Sequence, residues 1–361
     1  MYSREEKVFI WLSHFNSISV KKYYKLLEQY SPYTEIFDRF DCDKDKIVNI
    51  IGQEVYNQLK NFEETKLNEF INKMERSDIK MVTFVSEDYP ERMKETNQPP
   101  LVFYCKGDTS LFNSPCFAVV GTRRLSRYGK EMTEKFTTAL SDAGLTIVSG
   151  LADGTDSAAH KATLDANGKT IAVLGSGIES IYPATNIPLT QRIIDNGGLL
   201  TSEYLPNEKP QTYYFPYRNR IIAGLSMGVL IPEATEKSGS MHTKEFALEY
   251  GRDVYAIPGR LNDIYSAGCN KIIQNCQSAM VLSPADILNN LGLSFVEKKQ
   301  KEQMQTNLEE TAILNALDAG ELLFDQLQQI VGYETRVLNT LLTRMELLGL
   351  IKKLPGNYYS K

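Results

Sequence analysis

The sequence predicts an α/β fold: a Rossmann-like, mostly parallel sheet flanked by helices, with a helical domain before it and a winged helix after it. Three observations carry that reading. Between Cys116 and Gly292, seven short apolar runs alternate with helical stretches: FAVV (117–120), LTIV (145–148), TIAVL (170–174), GLLTSE (198–203), GVLI (228–231), DVYAI (253–257) and AMVL (279–282). The runs are nearly continuous in Val, Ile and Leu, as in strands buried on both faces. Strand–helix alternation calls for a parallel sheet with helices on both sides. The flanks, residues 1–75 and 308–361, show helical spacing instead.

Residues 1–75 read as a helical domain, with Val8, Leu12, Phe15 and Ile18, then Tyr23, Leu26, Leu27 and Tyr30, marking short amphipathic helices. Residues 76–112 read as an irregular lead-in to the α/β domain (76–293), because MVTFV (81–85) and LVFYC (101–105) are separated by Pro90, Pro99 and Pro100. Within the domain, Tyr128, Met132, Phe136, Leu140 and Ala143 mark one helix face, and Gly144 is a stop signal. Residues 294–307 are polar, charged and without period, as in a linker. The remainder gives three helical patterns, the last carrying Val337, Leu338, Leu341, Leu342, Met345 and Leu348. A β-like pair around Pro355-Gly356 completes the plan of a winged helix.

Composition limits the function. The chain has 361 residues with 40 basic and 45 acidic side chains, net −5, so only a local basic patch is available to an anionic partner. No apolar run approaches the roughly 18 residues of a membrane span. Five cysteines without a CxxC pair suit a reducing compartment, and the amino end lacks signal-peptide character, so a cytoplasmic location is expected. Three histidines (14, 160 and 242) argue against a metal site, and no cofactor is expected. No Walker motif, HExxH motif or GxSxG elbow following a strand is present, which disfavours an enzyme.

Five segments at strand ends could hold a ligand. GTRRLSRYG (121–129) brings Arg123, Arg124 and Arg127, with Lys130, to a helix start, which suits a phosphate; the alternative is a tight turn with solvated arginines. SGLADGTDSAAH (149–160) places Asp153, Asp156 and His160 at spacings of 3 and 4; Asp156 is expected to cap the helix rather than join a metal cluster. VLGSGIESIYP (173–183) offers a GSG turn. YYFPYRNRIIAGLS (213–226) interleaves three tyrosines and Phe215 with Arg218 and Arg220, a composition that suits unpaired bases and phosphates; internal ion pairs are the alternative. EATEKSGSMHTKEFALEYG (233–251) supplies Ser238, Gly239, Ser240 and Thr243 at another helix start. Ligands of open α/β sheets bind beyond the carboxyl ends of the strands, so these segments should converge on an extended phosphate-bearing ligand.

These strings, together with AIPG followed by GCNKII, resemble in order the DNA-processing protein A family (DprA, also called Smf) over residues 90–288. The resemblance implies a non-enzymatic protein that binds single-stranded DNA in natural transformation. It further implies RecA loading, displacement of single-strand-binding protein and a homodimer. Carried over by position, it implies DNA contacts from Arg123, Ser149, Gly150, Phe215, Arg218, Asn219, Arg220, Ser238, Gly239 and Ser240. Some of the Arg218–Arg220 arginines are expected to brace the loop instead. Ile272, Ile273 and Met280 are candidates for the dimer interface or the core.

Several positions depart from the family pattern: Met241, His242, Thr155, Pro232 and the run Ala184, Thr185, Asn186 where relatives carry lysines. The amino-terminal helices resemble the family's helical extension, but HFNSIS (14–19) lacks a phosphate-binding Gly-x-Gly. The winged helix carries seven acids against five bases, which favours a protein contact over a duplex contact. A rival reading is a nucleotide-binding protein or nucleotide phosphoribohydrolase, with Glu233 and Glu245 as acid–base residues; EKSGSMHT in place of a PGGxGT turn speaks against it.

Overall fold

The computed structural model describes residues 2–15, 19–293, 308–318, 320–347, 350–354 and 356–360. The chain divides into two compact units, Met1–Val296 and Glu297–Lys361.

The first unit opens with helices α1 (Arg4–Ser13), α2 (Val20–Leu27), α3 (Glu35–Arg39), α4 (Lys44–Ile51), α5 (Gln53–Lys60) and α6 (Glu64–Arg76). A capping box starts α1: the Ser3 hydroxyl accepts the Glu6 N–H at 3.1 Å, and the Glu6 carboxylate accepts the Ser3 N–H at 2.8 Å. Val8, Leu12, Tyr23, Leu26, Leu27 and Tyr30 are buried, as their spacing predicts; Ile18 lies outside the described residues. These side chains share one hydrophobic cluster with Met81, Val102, Tyr104 and Leu200, so the helices 1–75 have a core in common with the sheet.

That sheet has strands β1 (Lys80–Thr83), β2 (Val102–Gly107), β3 (Cys116–Val119), β4 (Thr146–Ser149), β5 (Thr170–Val173), β6 (Leu199–Ser202), β7 (Gly228–Ile231), β8 (Asp253–Ala256) and β9 (Ala279–Met280), in the order β1-β2-β6-β5-β4-β3-β7-β8-β9. From β6 to β9 every pairing is parallel, and all seven apolar runs are strands. The lead-in differs from expectation. Its two β-rich pieces are β1 and β2, which add antiparallel to β6. They cover an edge whose backbone groups would otherwise stand unpaired. The prolines that suggested irregularity sit in the β1–β2 connection, where no ladder bond is needed.

Helices α7 (Glu91–Lys94), α8 (Arg127–Asp142), α9 (Thr155–Asp165), α10 (Ile187–Asp195), α11 (Tyr214–Leu225), α12 (Ser240–Glu249), α13 (Ala267–Gln274) and α14 (Pro284–Asn290) complete the unit. From β3 the chain steps outward through β4, β5 and β6, then returns to the other side of β3 for β7, β8 and β9. The order reverses between β3 and β7, and their outgoing loops part there to leave a crevice.

In the second unit α15 (Leu308–Leu317), α16 (Phe324–Val331) and α17 (Thr335–Leu347) surround Leu327, Leu338, Leu342 and Met345, while Val337 faces outward. The expected hairpin, β11 (Lys352–Leu354) and β12 (Tyr358–Ser360), gains a third strand, β10 (Leu322–Leu323), in the order β10-β12-β11. The linker 294–307, Leu348 and Pro355 lie outside the described residues.

Candidate nucleic-acid interface

A groove of about 710 Å³ opens at the switch point. Thr122, Arg123 and Arg124 enter it from the loop after β3, Asp156 from α9, and Tyr182 from the loop after β5. Phe215, Arg218 and Asn219 come from α11, Ser238 to Ser240 from the start of α12, and Ile264 and Tyr265 from the loop after β8.

Arg123 and Arg124 are exposed. The Arg123 guanidinium lies over the Phe215 ring at 5.6 Å, and that ring meets Tyr182 at 5.5 Å between centroids. A cation, two aromatic faces and a hydroxyl-lined helix start thus face one trough. Such a surface suits a phosphate backbone carrying unstacked bases. Ser238 and Ser240 hydroxyls lie 2.8 Å apart, and the Asn219 amide donates to the Gly239 carbonyl at 3.2 Å, tying α11 to the start of α12.

Arg218 works from below. It is 3% exposed, its Nη1 donates to the Gly150 carbonyl at 2.8 Å and to the Val173 carbonyl, and burial pushes its pKa down to about 10. Its guanidinium therefore pins the loop ends of β4 and β5 while still lining the groove floor. Gly150 is required beneath it, because a Cβ there would lie 2.5 Å from the Arg218 Nη2. Asp156 accepts the Ala152 N–H at 3.3 Å; burial raises its pKa, and the nearby Arg218 opposes that rise. The N-cap of α9 is Gly154 instead, so Asp156 holds the turn from inside the first helical turn.

Several expected contacts lie elsewhere. Ser149 is fully buried and its hydroxyl donates to the Val119 carbonyl at 2.6 Å, so it braces β3 against β4. Arg127 is exposed on the first turn of α8, outside the groove lining. Arg220 is fully buried and paired with Glu203, on the side of α11 away from the groove. It is the internal ion pair left open by the sequence. The start of α8 is itself occupied: buried Glu233 accepts the Ser126 N–H at 2.9 Å and its hydroxyl at 2.5 Å. A carboxylate already compensates that helix end, which leaves Arg123 and Arg124 to meet an outside anion.

Glu233 is thus engaged inside the fold, and Glu245 is exposed beside His242 at 3.7 Å. His160 is buried, and its Nδ1 lies 2.7 Å from the Thr170 hydroxyl. Ile272 belongs to the core and Ile273 packs half-buried against it, whereas Met280 is 53% exposed on edge strand β9. Sequence reasoning had Tyr182 inside the VLGSGIESIYP segment without naming it as a contact, and it missed Ile264 and Tyr265 as groove residues; the carboxyl-end rule applied to the loop after β8 could have found those two.

Residues 80–292 match the family model for DNA recombination-mediator protein A, and residues 297–357 match the DprA winged helix domain. The DNA processing protein DprA of Streptococcus pneumoniae is 45% identical over 206 residues, 57% of this chain and 72% of that protein. Protein Smf of Escherichia coli is 37% identical over 284 residues, 76% and 75% of the two chains. An X-ray structure of the Streptococcus pneumoniae DprA superposes with a TM-score of 0.67 at 34% identity, covering 82% of this chain and 99% of that one. A Helicobacter pylori DprA structure, described in terms of its unique single-stranded DNA binding mode, gives 0.54 at 34% identity and covers 60% and 97%. With its α/β unit and its winged helix both matched, the chain belongs to the DNA recombination-mediator protein A family.

Proposed function

We propose that this protein is a non-enzymatic recombination mediator that binds single-stranded DNA, protects incoming DNA in natural transformation and loads RecA onto it. In this reading it acts in the cytoplasm as a homodimer and displaces single-strand-binding protein. The observation that carries it is Arg123 stacked on Phe215 beside Tyr182, with a serine-lined helix start opposite. Phosphates would meet Arg123 and Arg124, and bases would lie on Phe215 and Tyr182. A Helicobacter pylori relative's structure described as binding single-stranded DNA supports the same ligand. Of the two carboxylates that a nucleotide hydrolase would use there, Glu233 is engaged with Ser126, which speaks against that rival.

Binding should be insensitive to sequence in the groove and fall steeply with salt. Arg123→Ala should weaken it by about 1–3 kcal/mol, because a charge-assisted contact is lost at an exposed side chain. Fluorescence anisotropy with labelled single-stranded and duplex oligonucleotides tests this. Unchanged affinity in the folded variant, or a preference for duplex, would refute the assignment of the groove.

A further inference from the structure

One side of the groove is apolar and stands in water. Ile264, 68% exposed, lines the groove with the half-buried Tyr265, both from the loop 257–266 between β8 and α13. They belong to the same trough as Arg123 and Phe215. Leu261, 95% exposed, stands on this loop outside the groove lining.

The loop is held in shape at both ends. The Asn270 side chain brackets Gly259, accepting its N–H at 3.1 Å and donating to its carbonyl at 3.1 Å, and the Tyr128 hydroxyl donates to the Pro258 carbonyl at 2.9 Å. Further along, the Tyr265 N–H donates to the Asp263 carboxylate at 3.0 Å, and the Ser266 N–H donates to the Asp263 carbonyl at 3.1 Å. The two ends pack closely enough that a Cβ on Gly259 would lie 2.5 Å from the Ser266 Cβ. A braced turn therefore presents Ile264 to solvent. An aliphatic side chain fixed in that position keeps apolar surface in water until a ligand covers it.

The groove restricts what that ligand can be. Its exposed cations, Arg123 and Arg124, call for an anion, and Arg260 adds positive charge on the same loop as Ile264. Ile264 calls for an apolar face that arrives with the anion. A single strand supplies both, because its phosphates carry the charge and its unstacked bases offer flat apolar faces. In a duplex those faces are closed by stacking and pairing.

We infer that Ile264 is a second base-contacting surface of the groove. One base lies on Phe215 and Tyr182, and a further base of the same strand lies with its face against Ile264. The inference rests on the proposed single-stranded DNA reading. It gives the groove two apolar stations for bases that only an unpaired strand can occupy, so Ile264 contributes to the choice of single strand over duplex.

The test compares the full chain with Ile264→Ser, Leu261→Ser and Arg123→Ala. Anisotropy reads binding to labelled oligothymidylate and to an abasic strand of the same length, which keeps the sugars and phosphates but has no bases. Sedimentation velocity reads the oligomeric state. Ile264→Ser, at an exposed position, should lose about threefold or more on oligothymidylate, as expected for removing part of an apolar contact. It should bind the abasic strand and sediment as the wild type does, and Leu261→Ser should match the wild type on both strands. An equal loss on both strands, no loss on oligothymidylate, or an equal loss in Leu261→Ser overturns the inference. Altered sedimentation of Ile264→Ser overturns it too, by assigning that side chain to a contact between two copies of this chain. If Arg123→Ala loses binding while Ile264→Ser is silent, the groove reading stands and only this inference falls; if Arg123→Ala also binds as wild type, both fall.

Discussion

Arg218 and Arg220 stand two residues apart on α11, one under the groove and the other fully buried in an ion pair with Glu203. Successive helical residues turn by roughly 100°, so residues two apart face nearly opposite sides. The sequence string RNR therefore reads as one basic patch, although only the first arginine belongs to the groove. His160 shows a similar effect of burial. The Thr170 hydroxyl donates to the Ile147 carbonyl at 2.6 Å, so it accepts from the His160 Nδ1–H, and burial pushes the imidazole pKa down to about 3. The unfolded chain takes up a proton near about pH 6.5, while the folded chain does not until far lower pH, so stability declines as pH falls through that window. Between about pH 7 and about pH 5, the wild type should lose about 2 kcal/mol more stability than His160→Gln, measured by urea denaturation.

At the scale of elements, the groove is assembled from loop ends that touch across strands. The loop after β5 comes so close to α11 that a Cβ on Gly175 would lie 2.7 Å from the Phe215 ring. Gly175→Ala should push that ring from beneath Arg123. Single-stranded DNA affinity should fall about threefold or more, with thermal stability lowered by only a small amount; unaltered binding would show that the Phe215 position does not matter. The β1–β2 pair illustrates a different dependence. Its short runs carry too little local signal to be distinguished from an irregular lead-in, and only the open edge of β6 gives them a partner.

Over the whole molecule, every groove residue lies in the first unit, and each unit has hydrophobic clusters of its own. A chain ending at Val296 should bind single-stranded DNA within about twofold of the full chain by anisotropy, since it keeps every proposed contact; a loss of tenfold or more would place part of the site in the winged helix. None of the described helices is long and apolar enough to cross a membrane. The apolar runs were enough to identify the seven parallel strands and, with the carboxyl-end rule, the edge where Arg123, Phe215 and Ser238 to Ser240 meet. That much follows from local period and chain connectivity, which are properties of neighbours in sequence. Which cations stay free was not legible, because it depends on acids distant in sequence: Glu233 reaches Ser126 across 107 positions and Glu203 reaches Arg220 across 17. Pairing of charges in a folded interior is settled by distance and desolvation, and neither exists until the strands are stacked side by side.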